Sequence, residues 1–108
     1  MSQEKLNIAK RRIGNFSQAV PELFIGLKTI SNQATKGGEF DSASKELIAT
    51  AIAVAKGCED CIYYHVDGAR RHGATEEQLL EVLEIAVEMG GGPAIMYGSK
   101  ALEFFKKM

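Results

Sequence analysis

Several things are missing from this chain, and each absence narrows what it can be. It has no excess charge of either sign: thirteen Lys and Arg stand against fourteen Asp and Glu, a net charge of -1. Such a balance supplies no long-range attraction toward nucleic acid or an anionic membrane, so neither is expected as a partner. There is no run of about 18 apolar residues that could span a bilayer. The opening Met1-Ser2-Gln3-Glu4-Lys5-Leu6 lacks the apolar stretch of a signal peptide, and the expected location is the cytoplasm. No segment alternates apolar and polar residues with period two, which argues against strands. Repeats, linkers and low-complexity tracts are likewise absent. The glycines at 90 to 92 lack the strand-glycine-helix context of a nucleotide fingerprint, so no organic cofactor is expected. Cysteine is scarce: Cys58 and Cys61 are the only two. A disulfide between them would close a loop too small to constrain the unfolded chain much. In a reducing compartment a close pair of this kind points to catalysis or metal binding instead of a structural staple.

What is present is a globular composition, 45% apolar and 25% charged over 108 residues, which fits one domain spanning 1–108. Apolar spacing and stop signals predict about six helices and an all-α fold. The first covers about residues 3–14, with Leu6, Ala9 and Ile13 at apolar spacing and Phe16 just beyond. The second opens at Pro21 with Glu22 beside it, carries an inward stripe of Leu23, Leu27, Ile30 and Ala34, and ends at Gly37-Gly38 through a left-handed cap. The third starts at Asp41 or Ser42. From Leu47 to Ala55 every residue except Thr50 is apolar, which predicts a buried rod with Glu46 at its polar mouth. Gly57 breaks it. The fourth runs from Cys58 or Glu59 to His72, with Ile62, Val66 and Ala69 inward, and His72 placed to cap its C-terminus. Thr75-Glu76-Glu77-Gln78 reads as a capping box for the fifth, whose inward face is Leu79, Val82, Leu83 and Ala86. Gly90-Gly91-Gly92-Pro93 stops and restarts the chain. The last helix has two apolar surfaces, Tyr97, Ala101, Phe104 and Met108 on one and Ile95, Leu102 and Phe105 on the other. A small core and a two-sided helix together predict an oligomer.

The residues that carry chemistry are Glu46, Cys58, Cys61 and His65, spaced E-x11-C-x2-C-x3-H. Cys61 and His65 are four apart and stack on one helix face, where an imidazole can take the thiol proton and leave the reactive thiolate. Cys58, at the helix N-terminus, benefits from the backbone dipole, and its three-residue offset lets it bond Cys61. Glu59 and Asp60 oppose a thiolate by their charge. Glu46 would lie roughly 18 Å from Cys58 on one straight helix at about 1.5 Å per residue. If the chain reverses at Gly57, Glu46 and His65 differ in height by about three residues, or roughly 4.5 Å. The carboxylate then reaches the imidazole and orients it, giving a line from Glu46 to His65 to Cys61 with Cys58 as resolving partner. Plainer roles exist for the same residues: Glu46 as a first-turn acid, the cysteines as small buried side chains, or Cys58, Cys61, His65 and Glu46 as zinc ligands. Structural zinc sites usually draw on two separated pairs and seldom on Glu, so no metal is expected. Tyr63 and Tyr64 can line the site or an interface, with core or interface packing the plainer reading, and Arg70-Arg71 and Lys106-Lys107 read as helix-end charges.

The pattern resembles the AhpD-like alkylhydroperoxidase branch of the carboxymuconolactone decarboxylase superfamily. It does so over residues 40–98, through Lys45-Glu46-Leu47-Ile48, Gly57-Cys58-Glu59-Asp60-Cys61, His65, Gly73-Ala74-Thr75-Glu76-Glu77 and the Gly-Gly-Gly-Pro-Ala run at 90–94. The resemblance implies an all-helical fold assembled into trimers or hexamers. It also implies peroxide reduction at Cys61 through a sulfenic acid, with Cys58 resolving and Glu46 and His65 relaying protons. A dithiol donor, in such enzymes a lipoyl-bearing protein, returns the electrons. Asp60 departs from the aromatic or His residue often found there in relatives, which bears on thiol acidity and partner docking. The decarboxylase branch works without this cysteine pair and is the poorer guide. The alternatives are a disulfide reductase or thiol-transfer protein, or a non-enzymatic redox-sensing or zinc-binding module.

Overall fold

Helix α3 (Ser42–Lys56) is the axle of the molecule, and the reason lies in its composition: Leu47, Ala53 and Val54 are buried along it, and α4, α5 and α6 all pack against it. In the computed structural model, which describes residues 2–108, the chain order is α1 (Ser2–Ala19), α2 (Pro21–Thr35), α3, α4 (Glu59–Arg71), α5 (Glu76–Gly90) and α6 (Gly92–Lys107). Met1 lies outside the described residues. The six expected helices are present, and among the described residues there is no strand. None of these helices is long and apolar enough to cross a membrane.

Local chemistry sets most boundaries. The Asp41 carboxylate accepts the Ser44 N–H at 2.8 Å and starts α3. Gly57 ends it with φ 76°, its N–H reaching Ala53 and Val54 carbonyls while the Cys58 N–H also reaches Ala53. This is a Schellman closure, and glycine makes its left-handed residue inexpensive. At α5 both halves of the capping box form: Gln78 N–H donates to the Thr75 hydroxyl, and Thr75 N–H donates to the Gln78 side chain. His72 is the C-cap residue of α4.

Three expectations need correction. The first helix does not stop at Gly14 but continues to Ala19, because an isolated glycine only weakens a helix. Val20, the residue before Pro21, is the one driven out of helical geometry. Gly37 and Gly38 do not form a left-handed cap: Lys36 follows α2 in extended conformation, and the positive-φ glycines are Gly57, Gly73 and Gly91. The α2 stripe is not buried. Leu23, Leu27, Ile30 and Ala34 are all exposed, and α2 has no buried residue in its whole length. Helix α3 also keeps one side open, along Ile48, Ile52 and Ala55, while Thr50, the one polar residue of its apolar run, is fully buried.

The core joins Leu6 of α1, Leu47 and Val54 of α3, Ile62, Tyr63 and Val66 of α4, Leu79 and Leu83 of α5, and Ala101, Phe104 and Phe105 of α6. Tyr63 meets Phe104 edge-on with ring centroids 5.1 Å apart, which ties α4 to α6. The last helix therefore spends Phe104 and Phe105 inside the chain, and only Ile95 of its second surface stays exposed.

Candidate active site

The reversal at Gly57 delivers Cys58 to the N-cap of α4, where its sulfur accepts the Cys61 N–H at 3.3 Å. Cys58 and Cys61 are joined in a disulfide, with Cα atoms 5.3 Å apart. Both are half-buried, in the first turn of α4 and its cap, where the backbone dipole favours negative sulfur once the bond is reduced. Reversible bonding between two such positions needs no rearrangement of the helix, because the three-residue offset already brings the sulfurs together.

One turn further along α4 is His65. Because α4 folds back along α3, the Glu46 carboxylate meets it: Nδ1 of His65 and Oε1 of Glu46 are 2.7 Å apart. The expected height difference at the turn is thus realised as a direct contact with no water between. The Glu46 side chain is 14% exposed and that of His65 29%, so the pair is shielded but open on the imidazole side. Thr50 donates its hydroxyl to the Glu46 carbonyl at 2.8 Å, which satisfies the buried hydroxyl and holds that turn of α3. With Nδ1–H given to the carboxylate, Nε2 is the ring nitrogen left to accept a proton.

The two acids inside the cysteine motif are compensated. Oε2 of Glu59 accepts from Lys100 at 2.7 Å, from the Tyr63 hydroxyl at 2.9 Å and from Lys5 at 3.4 Å. The Lys100 ammonium holds the Glu59 carboxyl at about 2, against the opposing effect of partial burial, with Tyr63 and Lys5 adding to it. Lys100 is held correspondingly above the ordinary lysine value by Glu59. Asp60 pairs with Arg12 at 3.0 Å. The negative charge that sequence alone sets against a Cys61 thiolate is therefore met by cations from α1 and α6.

An open cleft of about 590 Å³ lies alongside, lined by Gly92, Pro93, Met96, Tyr97 and Lys100. It abuts the cysteine turn on two counts: a Cβ placed on Gly57 would come within 3.1 Å of the Tyr97 ring, and Lys100 is bonded to Glu59. Tyr64 is exposed and faces His65 edge-on at 5.7 Å, whereas Tyr63 is buried. His72 stands apart at the far end of α4. Among the described residues no group of three or more His, Cys, Asp and Glu converges as a metal cage.

Sequence reasoning anticipates the Glu46–His65 contact and the Cys58–Cys61 pairing but misses Arg12, Thr50, Gly68 and Lys100. Gly68, an isolated glycine inside α4, carries a readable signal. Arg12 and Lys100 reach the site from 48 and 41 residues away, and nothing local announces them.

The sequence profile of the carboxymuconolactone decarboxylase family matches residues 21–104. The chain is 48% identical over 101 residues to an uncharacterized protein of Cupriavidus necator, covering 94% of this chain and 89% of that one. To the alkyl hydroperoxide reductase AhpD of Corynebacterium kroppenstedtii it is 31% identical over 85 residues, 79% of this chain and 47% of that one. Among solved structures, a carboxymuconolactone decarboxylase family protein from Legionella pneumophila superposes with a TM-score of 0.93 at 42% identity, covering 98% of this chain and 95% of that one. A protein from Thermotoga maritima superposes with a TM-score of 0.79 at 26% identity, covering 96% and 92%.

Proposed function

Since the chain belongs to the carboxymuconolactone decarboxylase family, we propose that it is an AhpD-like thiol peroxidase that reduces organic hydroperoxides through Cys61 and Cys58. The observation that carries the reading is the 2.7 Å contact between Glu46 and His65, one helical turn from a cysteine already paired with its partner. A plain structural cysteine pair has no use for an oriented imidazole beside it.

In the proposed cycle His65 takes the Cys61 proton through Nε2, and Glu46 supports the charge the ring gains. The Cys61 thiolate attacks the outer peroxide oxygen. The O–O bond breaks, an S–O bond forms, sulfur is oxidised by two electrons, and the alcohol departs with the proton that His65 held. Cys58 then attacks the sulfenic sulfur, the S–S bond forms and water leaves. An external dithiol, such as a lipoyl-bearing protein, reduces the disulfide by two exchange steps and becomes a disulfide itself. The apolar walls of the cleft beside Tyr97 and Met96 suit the organic part of a hydroperoxide.

We take the acting unit to be an assembly of identical chains. Ile13 and Phe16 of α1, Val20 between the helices, and Leu23, Ile25, Leu27 and Ile30 of α2 are each between 37% and 67% exposed. Side chains of this size, roughly half bare, leave on the order of 700 Å² of apolar surface in water, close to one side of a standard interface. Glu22 and Lys28 are the only charges on α2, which suits the face to a second copy of itself more than to a charged partner.

The test is thiol loss when a slight excess of cumene hydroperoxide meets fully reduced protein, followed by intact mass. Wild type is expected to lose two thiols to an internal disulfide, Cys58→Ser to stop with one added oxygen on Cys61, and His65→Ala to react slowly. Equal, slow reaction of all of them would sink the peroxidase reading. Rapid exchange with a small disulfide but not with peroxide would make the protein a disulfide reductase.

A further inference from the structure

Helix α4 carries a glycine where a helix least wants one. Gly68 is buried in its interior, three residues after His65, and its backbone has no positive φ that would require glycine. Glycine weakens a helix interior relative to alanine, so local structure gives no reason for it. The neighbour across the interface does. A Cβ at Gly68 would stand 2.9 Å from both Cδ and Oε2 of Glu46 and 3.2 Å from Oε1. The carboxylate that holds His65 lies flat on the spot where any other residue carries its side chain. Gly14 and Gly26, also inside helices, differ in kind: a Cβ there would meet nothing within 4 Å.

We infer that Gly68 is a positioning residue for the thiol chemistry: its bare backbone is the notch that seats Glu46 against His65. The inference rests on the proposed Glu46–His65–Cys61 line. Residues 65 and 68 lie on one face of α4 by their three-residue spacing, so the carboxylate bridges His65 Nδ1 with one oxygen and covers Gly68 with the other. A methyl group at 68 meets the flexible end of a side chain, not backbone. The helix can therefore absorb it by moving the carboxylate, and the hydrogen bond to His65 is what such a movement breaks. Thr50 fixes the Glu46 turn from behind by holding its carbonyl, so the displacement falls on the side chain.

The test is the pH dependence of Cys61 alkylation by iodoacetamide in reduced protein carrying Cys58→Ser, which needs no peroxide. Gly68→Ala is expected to slow alkylation at neutral pH about tenfold and to raise the pH midpoint, and Glu46→Gln is expected to do the same. The two together should do no more than either alone, since both remove one contact. Gly26→Ala, where the methyl meets nothing, should leave the profile unchanged. If Gly68→Ala keeps the wild-type midpoint while Glu46→Gln shifts it, the notch has no positioning role and the triad reading stands. If neither Glu46→Gln nor His65→Ala shifts it, the triad reading and this inference fall together. Should Gly68→Ala fail to fold, Glu46→Ala with Gly68→Ala decides. Recovery of folding in the pair places the clash on Glu46 as inferred, and continued failure assigns Gly68 to packing alone.

Discussion

Glu59 shows how far a residue's role can depart from its letter. In sequence it is a negative charge next to a thiol meant to ionise; in the fold it is the point where α1, α4 and α6 are tied, through Lys5, Tyr63 and Lys100 on a single oxygen. Its depressed pKa makes that tie pH-dependent. A carboxylate at about 2 when folded and near 4.5 when unfolded contributes stability that is complete above pH 4.5 and is lost as pH falls toward 2. Glu59→Gln is therefore expected to lower stability by about 1 kcal/mol near neutral pH, with the gap from wild type closing below pH 4.5, as read by urea unfolding across that range. A gap that does not change with pH would mean packing, not charge, is what Glu59 supplies. Lys100→Met gives the complementary result. It leaves the Glu59 charge less compensated beside Cys58, so alkylation of reduced protein near neutral pH should slow a few-fold, and added salt should narrow the difference.

At the scale of elements, what could be read in advance follows from whether the signal is local. Asp41 and the Thr75–Gln78 box set helix starts by reaching three residues along the chain, and both form as their letters suggest. The Glu46–His65 meeting was legible too, because it needs only a helical rise and a reversal at Gly57. The end of α1 was not: Gly14 and Pro21 are both breakers on paper, and only the proline, through its restriction on Val20, decides. Gly57 repays a direct test because two demands coincide there, a φ of 76° and a Tyr97 ring 3.1 Å from any added Cβ. Gly57→Ala should cost about 1–3 kcal/mol and lower the melting temperature. Thr75→Ala, which removes a cap without strain, should cost about 1 kcal/mol. Only the first is expected to slow disulfide closure after peroxide, since only Gly57 aims Cys58 at Cys61.

At the scale of the whole molecule, the second helix is the unexplained expense of the fold, and its apolar letters were readable while their partner was not. Periodicity marks Leu23, Leu27, Ile30 and Ala34 as a stripe that wants covering, but it does not say by what. Among the described residues α2 packs chiefly on α1 and α3 and has no buried residue, with an edge-on contact between Phe24 and Phe16. Fifteen residues ordered with so little burial are hard to sustain alone, because a helix of that length is marginal in water. A second copy resolves this if its own α1–α2 surface covers the first. Leu27→Glu with Ile30→Glu puts two charges at the centre of that surface and changes no buried position. The wild-type protein is expected to sediment at a multiple of the single-chain mass and to melt at a temperature that rises with concentration; the double variant should sediment as one chain and lose that dependence. If α2 frays once uncovered, helical signal should fall by roughly one helix in six, while the core around Leu47, Ile62 and Phe104 still melts cooperatively. A wild-type protein that sediments as a single chain at all concentrations, with α2 fully helical, would show that the stripe needs no second copy.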